Sequence, residues 1–232
     1  MTDAQNSEWA AQRLSLDRPW LTLDLGQPMR VLSWSINRPG IVTAQRIVWR
    51  EVRNADLPQN LDVHDWLLTE LANRGEHQSV AFLTSRNITH FCTDEVNLEH
   101  VCARAVATVG LSNAERVGSR QPSISSKLGT INVAAWIETG LSEAGLIEAM
   151  SVVVQARTTA VLDANIPLLD KQTRSRATGT GTDCVAVAAP VGSTSYAGLH
   201  TAIGEALGRV VYDAVLTGAQ DWKTEQERNT HA

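Results

Sequence analysis

The residues able to do chemistry in this chain gather in a few short polar stretches. The longest is RATGTGTDCVAVAAP, Arg176 to Pro190, where Thr, Gly and Asp run directly into an apolar segment. A phosphate-cradling loop would need GxxxxGK[ST], and no Lys follows here. A dinucleotide loop would follow a strand, open a helix and carry a third Gly; this stretch precedes a strand, and Cys184 stands where that Gly would be. What remains is a loop of exposed N–H groups, the hydroxyls of Thr178, Thr180 and Thr182, and the carboxylate of Asp183, with Gly179 and Gly181 allowing close approach of a ligand. Two His-x-Cys pairs, His90/Cys92 and His100/Cys102, would each share one face of a strand and could offer ligands to zinc. Closed zinc sites more often use CxxC or HxxxH spacing, so packing is preferred and no metal is assigned.

Three further stretches carry candidates. VGLSNAERVG puts Ser112 and Asn113 at the end of an apolar strand, a common place for ligand-contacting side chains. GTINVAAWIE opens its strand with Thr130 and Asn132. YAGLHTAIGE sets His200 and Glu205 near the start of the last helix; five residues apart, they point about 140° from one another and share a face only in part.

The elements that must position these residues follow from hydrophobic periodicity. WLTLDL and RVLSWSI alternate on either side of Gly26-Gln27-Pro28, which predicts a hairpin. Ile41–Arg53 is a strand, LDVHDWLLTELANRG a helix capped by Asp62 and ended at Gly75, and SVAFLTS a strand. The stretch from Asn87 to Leu111 reads as two strands joined near Thr93–Asn97, and GTINVAAWIE as another. Ser142 caps a long helix with the stripe Leu146, Ile147, Met150, Val153, Val154, Val161. CVAVAAP is a strand buried on both faces. The last helix turns Ile203, Leu207, Val210, Val211, Ala214 and Val215 inward and stops at Gly218. The fold class is therefore mixed α/β (α+β), with a mixed sheet packed by helices.

The 232 residues, 43% apolar and 19% charged, fit one globular domain, with residues 1–19 a tail, 20–218 the domain and 219–232 a polar C-terminal tail. A net charge of −5 argues against nucleic-acid or anionic-membrane partners. No apolar run approaches a membrane span, and the first nineteen residues lack the apolar core of a secretory signal. Three cysteines, an odd number, suit a reducing cytoplasm. Of seven tryptophans, Trp20, Trp34, Trp49, Trp66 and Trp136 fall in periodic segments and are expected in the core, whereas Trp9 and Trp222 lie in polar termini.

Taken in order, VLSWSINRPG, FLTSRN, VGLSNAERVG, GTINVAAWIE, ATGTGTDCVAVA and YAGLHTAIGE, closed by RVVYDAV, resemble the adenosylcobinamide amidohydrolases of corrinoid salvage, over roughly Val31 to Val215. The resemblance implies hydrolysis of the amide between aminopropanol and a corrin propionate, giving adenosylcobyric acid. It implies a small-molecule corrinoid substrate, no cofactor and a possible homo-oligomer. Asp183, His200 and Glu205 are the titratable residues of the matched motifs: His200 or Asp183 would activate water, and Glu205 would orient or protonate. Asn37, Ser112, Asn113, Thr130, Asn132 and Thr178, Gly179, Thr180, Gly181 and Thr182 would bind substrate, with backbone N–H groups and Asn113 or Asn132 holding the oxyanion. A nucleophilic Ser112 or Thr182 is the competing route. Two departures from the family pattern stand out: Asn37-Arg38-Pro39-Gly40 in place of Asn-Gly-Gly, and Gln155-Ala156-Arg157-Thr158 in place of Glu-Ala-Lys-Thr. They favour, as alternatives, a corrinoid-binding protein without turnover or a shifted corrinoid preference.

Overall fold

The computed structural model describes residues 8–58, 60–119, 129–168 and 175–230. It begins with order where a tail was expected: α1 (Glu8–Arg13) leads into β1 (Leu14–Asp17). Trp9 is buried in the core, its ring edge-on to Trp136 at 5.2 Å. The predicted hairpin is a single strand, β2 (Trp20–Ser33). Gly26-Gln27-Pro28 is a bulge inside it: Gly26 has φ +84°, Asp24 Oδ1 accepts its N–H at 2.7 Å, and the register against β3 (Gly40–Glu51) shifts between Asp24 and Met29. The same residues that make a turn let a long strand swell without ending.

Helix α2 (Val63–Asn73) starts where Asp62 accepts the N–H of Asp65 and is followed by Gly75 at φ +73°. β4 (Val80–Thr84) runs parallel to β3. β5 (Cys92–Leu98) and β6 (Val101–Val109) form a hairpin whose turn is Glu99-His100, not Thr93–Asn97; Glu99 takes the positive φ, +52°. β7 (Ala114–Glu115) precedes β8 (Ile131–Ile137), α3 (Glu143–Asp163) follows, and β9 (Gly179–Thr180) leads to β10 (Cys184–Ala189). Helix α4 (Ala202–Thr230) does not stop at Gly218 but runs through the expected tail. That glycine serves close packing: a methyl group there would stand 2.7 Å from Val109 Cγ2.

The main sheet has the order β4-β3-β2-β10-β8-β6-β5, with β1 beside the first half of β2. β10 is central, parallel to β8 and antiparallel to β2, which is why its run Val185–Ala189 is apolar on both faces. One face, through Ala105, Val133 and Val187, buries α3 and α4; the other, through Leu21, Trp49, Ala134 and Trp136, buries α1. Helix α2 covers Trp20, Val48 and Ala81. α3 is long and apolar enough by composition to cross a membrane, yet here Leu146, Val153 and Val161 lie in the core against β10 and α4. Ile147 of the expected stripe is exposed instead. A separate two-stranded ribbon, β7 with β9, holds the polar loops together at one end of the sheet.

Candidate active site

The polar loop before β10 owes its shape to one carboxylate. The Asp183 side chain is 6% exposed, and both its oxygens are filled. Oδ1 accepts from Ile131 N at 3.0 Å and Thr180 Oγ1 at 2.5 Å; Oδ2 accepts from Thr180 N at 3.0 Å and Arg157 Nη1 at 2.5 Å. The glycine of this loop that must be glycine is Gly179, where a methyl group would stand 2.5 Å from Asp183 Oδ2. Burial pushes the Asp183 carboxyl above its ordinary value, against the downward pull of Arg157 and of the hydrogen bonds from Thr180 and Ile131. With every acceptor position taken, Asp183 anchors the loop and has no lone pair left for a substrate proton.

The three threonines divide the work. Thr178 turns away to β7: its Oγ1 accepts from Val117 N at 2.7 Å and its N donates to Glu115 O at 2.8 Å. Thr180 serves Asp183. Thr182 faces a cleft of about 320 Å³ bounded by Trp34, Ser85, Thr130, Asn132 and Cys184, among others. There Thr182 Oγ1 donates to Gly129 O at 2.9 Å, which leaves Thr130 to donate to Thr182 across 2.8 Å. Trp34, expected in the core, is 47% exposed at this cleft and donates Nε1–H to Asp183 O at 2.8 Å. Ile36 beside it is 43% exposed. Asn132 is fully buried in the wall; its Nδ2 donates to Leu83 O at 2.8 Å and its Oδ1 has no partner. The Cys184 thiol is pushed up to about 12, chiefly by burial, so at neutral pH it is no thiolate nucleophile.

The other expected site residues lie elsewhere. Ser112 and Asn113 pack on Gly129, the residue before Thr130: a methyl group there would meet Asn113 Oδ1 at 2.6 Å and Ser112 N at 2.7 Å. Asn37 spends both ends of its amide on β4, with Nδ2 to Ser79 O at 2.9 Å and Oδ1 from Ala81 N at 3.0 Å. His200 and Glu205 stand beyond the far end of β10, on the turn before α4 and in its first turn. Six residues of strand, roughly 20 Å at 3.3 Å per residue, separate that end from Asp183. Both are exposed, and Glu205 pairs with Arg209 at 3.4 Å. A substrate in the cleft by Asp183 is out of their reach. Cys92 and Cys102 sit near opposite ends of the β5–β6 hairpin, opposite Ala107 and Asn97, so the two His-x-Cys pairs do not converge.

Two residues not singled out in the motifs matter here. Arg157, at a departure from the family pattern, is the Asp183 partner, while Gln155, two residues before it, is exposed and its Nε2 donates to Ser151 O and Oγ. Glu115, inside VGLSNAERVG, is half-buried; its backbone O accepts from Thr178 N at 2.8 Å, and its Oε1 lies 3.3 Å from where a methyl group on Gly181 would be. Its signal was a single acid inside a motif of small polar residues.

This is a mixed-sheet protein with a largely apolar cleft at one end of its central strands, which Ser85, Thr130, Asn132 and Thr182 also bound. A family model described as adenosylcobinamide amidohydrolase matches residues 4–227. The chain belongs to that family of amidohydrolases. It is also 32% identical over 91 residues to an uncharacterized protein, MJ1613, of Methanocaldococcus jannaschii, a match covering 39% of this chain and about a third (35%) of that protein's length. Among solved structures it resembles the PH0078 protein from Pyrococcus horikoshii at 9% identity, with a TM-score of 0.39 over 86% of this chain and 76% of that one.

Proposed function

We propose that the chain hydrolyses the amide joining aminopropanol to the corrin propionate of adenosylcobinamide, releasing the amine and adenosylcobyric acid, in the cytoplasm and without a cofactor. The observation that carries this reading is the convergence of four distant segments on one cleft: Trp34, Ser85, Thr130 with Asn132, and Thr182 with Cys184. All four come from the stretches that mark the family resemblance.

At about 320 Å³ the cleft is at the small end of ligand sites, which run roughly 300–1,000 Å³. It suits one amide-bearing arm, with the macrocycle resting outside on the apolar ledge of Trp34 and Ile36. Its mostly apolar wall, with the hydroxyls of Ser85, Thr130 and Thr182 and the amide of Asn132, suits an aliphatic arm that carries one amide, and the absence of phosphate from adenosylcobinamide suits a loop with no phosphate lysine. For the chemistry, a water attacks the amide carbonyl, Glu115 on the ribbon beside Gly181 accepts its proton and returns it to the leaving amine, and the loop N–H groups stabilise the oxyanion. Asp183 acts as a positioning residue: it holds Thr180, Ile131 and Arg157 so that Thr182 faces the cleft.

The test is direct. Purified protein is incubated with adenosylcobinamide, and adenosylcobyric acid and aminopropanol are followed by mass spectrometry. Equimolar appearance of both supports the reading; tight corrinoid binding by folded protein with no product converts it to a binding protein.

A further inference from the structure

We infer that Asn132 selects for a donor-bearing secondary amide by accepting its N–H, an inference that rests on the proposed amide hydrolysis. The orientation of this side chain is set by its neighbour. Nδ2 donates to Leu83 O at 2.8 Å, and the flipped amide would set two oxygens against each other. Oδ1 is therefore the atom left over, and it has no partner although the residue is fully buried. Across the sheet Asn132 is in register with Thr108 of β6, whose buried Oγ1 is also without a partner. Buried polar atoms are nearly always hydrogen-bonded, so an acceptor stranded in a residue that bounds the cleft is a place for a ligand donor, reached once the side chains packed over Oδ1 give way.

The chemistry of the scissile group meets that need. A secondary amide carries one N–H that Oδ1 can accept. An ester has none, and the carboxylate product presents only lone pairs to another oxygen. Asn132 thus admits the substrate, rejects esters of the same acid, and favours release of the product acid once the C–N bond is broken. It also fixes the leaving nitrogen, and with it the direction from which water must reach the carbonyl. Its role is recognition, since its remaining chemistry offers no base.

The experiment compares cobinamide with cobyric acid, which share the corrin and differ at this amide. Binding is read from tryptophan quenching in a stopped flow, before turnover. Wild-type protein is expected to bind cobinamide at least about tenfold more tightly than cobyric acid, the order expected when a buried acceptor is left unpaired. Asn132→Ala, checked for folding by its thermal melt, is expected to lose that preference by weakening cobinamide alone. Equal affinity of the wild type for the two corrinoids overturns the inference, whether or not the variant folds, and leaves the hydrolase reading standing. An unchanged preference in a folded Asn132→Ala protein overturns it as well. Failure of both corrinoids to bind, with no product from adenosylcobinamide, overturns the hydrolase reading and this inference together.

Discussion

Asp183 and Arg157 meet at 2.5 Å beneath the polar loop, 26 residues apart in sequence, with side chains 6% and 13% exposed. Burial holds the carboxyl above its ordinary value despite the guanidinium. The sign follows: a carboxyl whose folded value is raised contributes stability below its unfolded value, and that contribution is lost as pH rises through the folded value. At neutral pH the charged carboxylate therefore costs the fold something, and the pair's purpose is placement of the loop.

Removing one partner strands the other. Asp183→Asn is expected to destabilise the protein by about 3 kcal/mol, in the range for breaking a buried pair. Arg157→Met combined with Asp183→Leu is expected to lose less than the sum of the two single changes, while activity stays low. Denaturant titration of the four proteins measures this coupling; strict additivity would show that the pair is not energetically linked.

Gly179→Ala would drive a methyl group to 2.5 Å from Asp183 Oδ2 and is expected to lower both melting temperature and turnover. Gly181→Ala meets Glu115 Oε1 at 3.3 Å at an exposed position and is expected to leave the melting temperature within about 2 °C of wild type. A thermal melt of each separates the glycine required by packing from its neighbour.

Glu115→Gln is expected to reduce kcat by roughly 10²–10⁴ with an unchanged melting temperature, the loss typical of a general base. His200→Ala and Glu205→Gln are expected to retain near wild-type rates. Collapse of activity in either of the latter would move the chemistry to the far end of β10.

Because burial pushes the Cys184 thiol up to about 12, its thiolate fraction is tiny at pH 7–8 and keeps rising with pH well beyond 9. Iodoacetamide at pH 7.5 should leave activity intact, and Cys184→Ser should turn over adenosylcobinamide. Rapid inactivation with label on Cys184 would restore a cysteine nucleophile.

The sequence was most legible where one period governs a whole element. The inward stripe of α4 and the unbroken apolar run of β10 are both where periodicity put them. It misled where one residue type serves two geometries. Gly26-Gln27-Pro28 has turn chemistry but makes a bulge, because the strand pairing resumes at Met29. Trp34 continues the alternation of β2, yet lies one residue past its last ladder pair, Ser33, and so faces the cleft. Trp9 is core despite polar neighbours, since a single tryptophan on a short helix is enough to reach Trp136. Within the site, the quoted motifs held Thr130, Asn132, Thr182 and Asp183, but not their division of labour. That Asp183 faces Arg157 is a meeting of α3 with a loop, and local spacing carries no trace of it.

The two asparagines that bond to β4 from other segments, Asn37 and Asn132, have a consequence for the protein in concentrated solution. Val52 N takes Thr84 O, so the even-numbered groups of β4 face β3 and the odd-numbered groups form the open margin of the sheet. Asn37 occupies Ser79 O and Ala81 N on that margin, and Asn132 occupies Leu83 O. An unguarded edge strand invites pairing with another chain. Asn37→Ala should accordingly leave turnover intact while promoting self-association, visible as concentration-dependent light scattering, which makes this residue a guardian of colloidal stability.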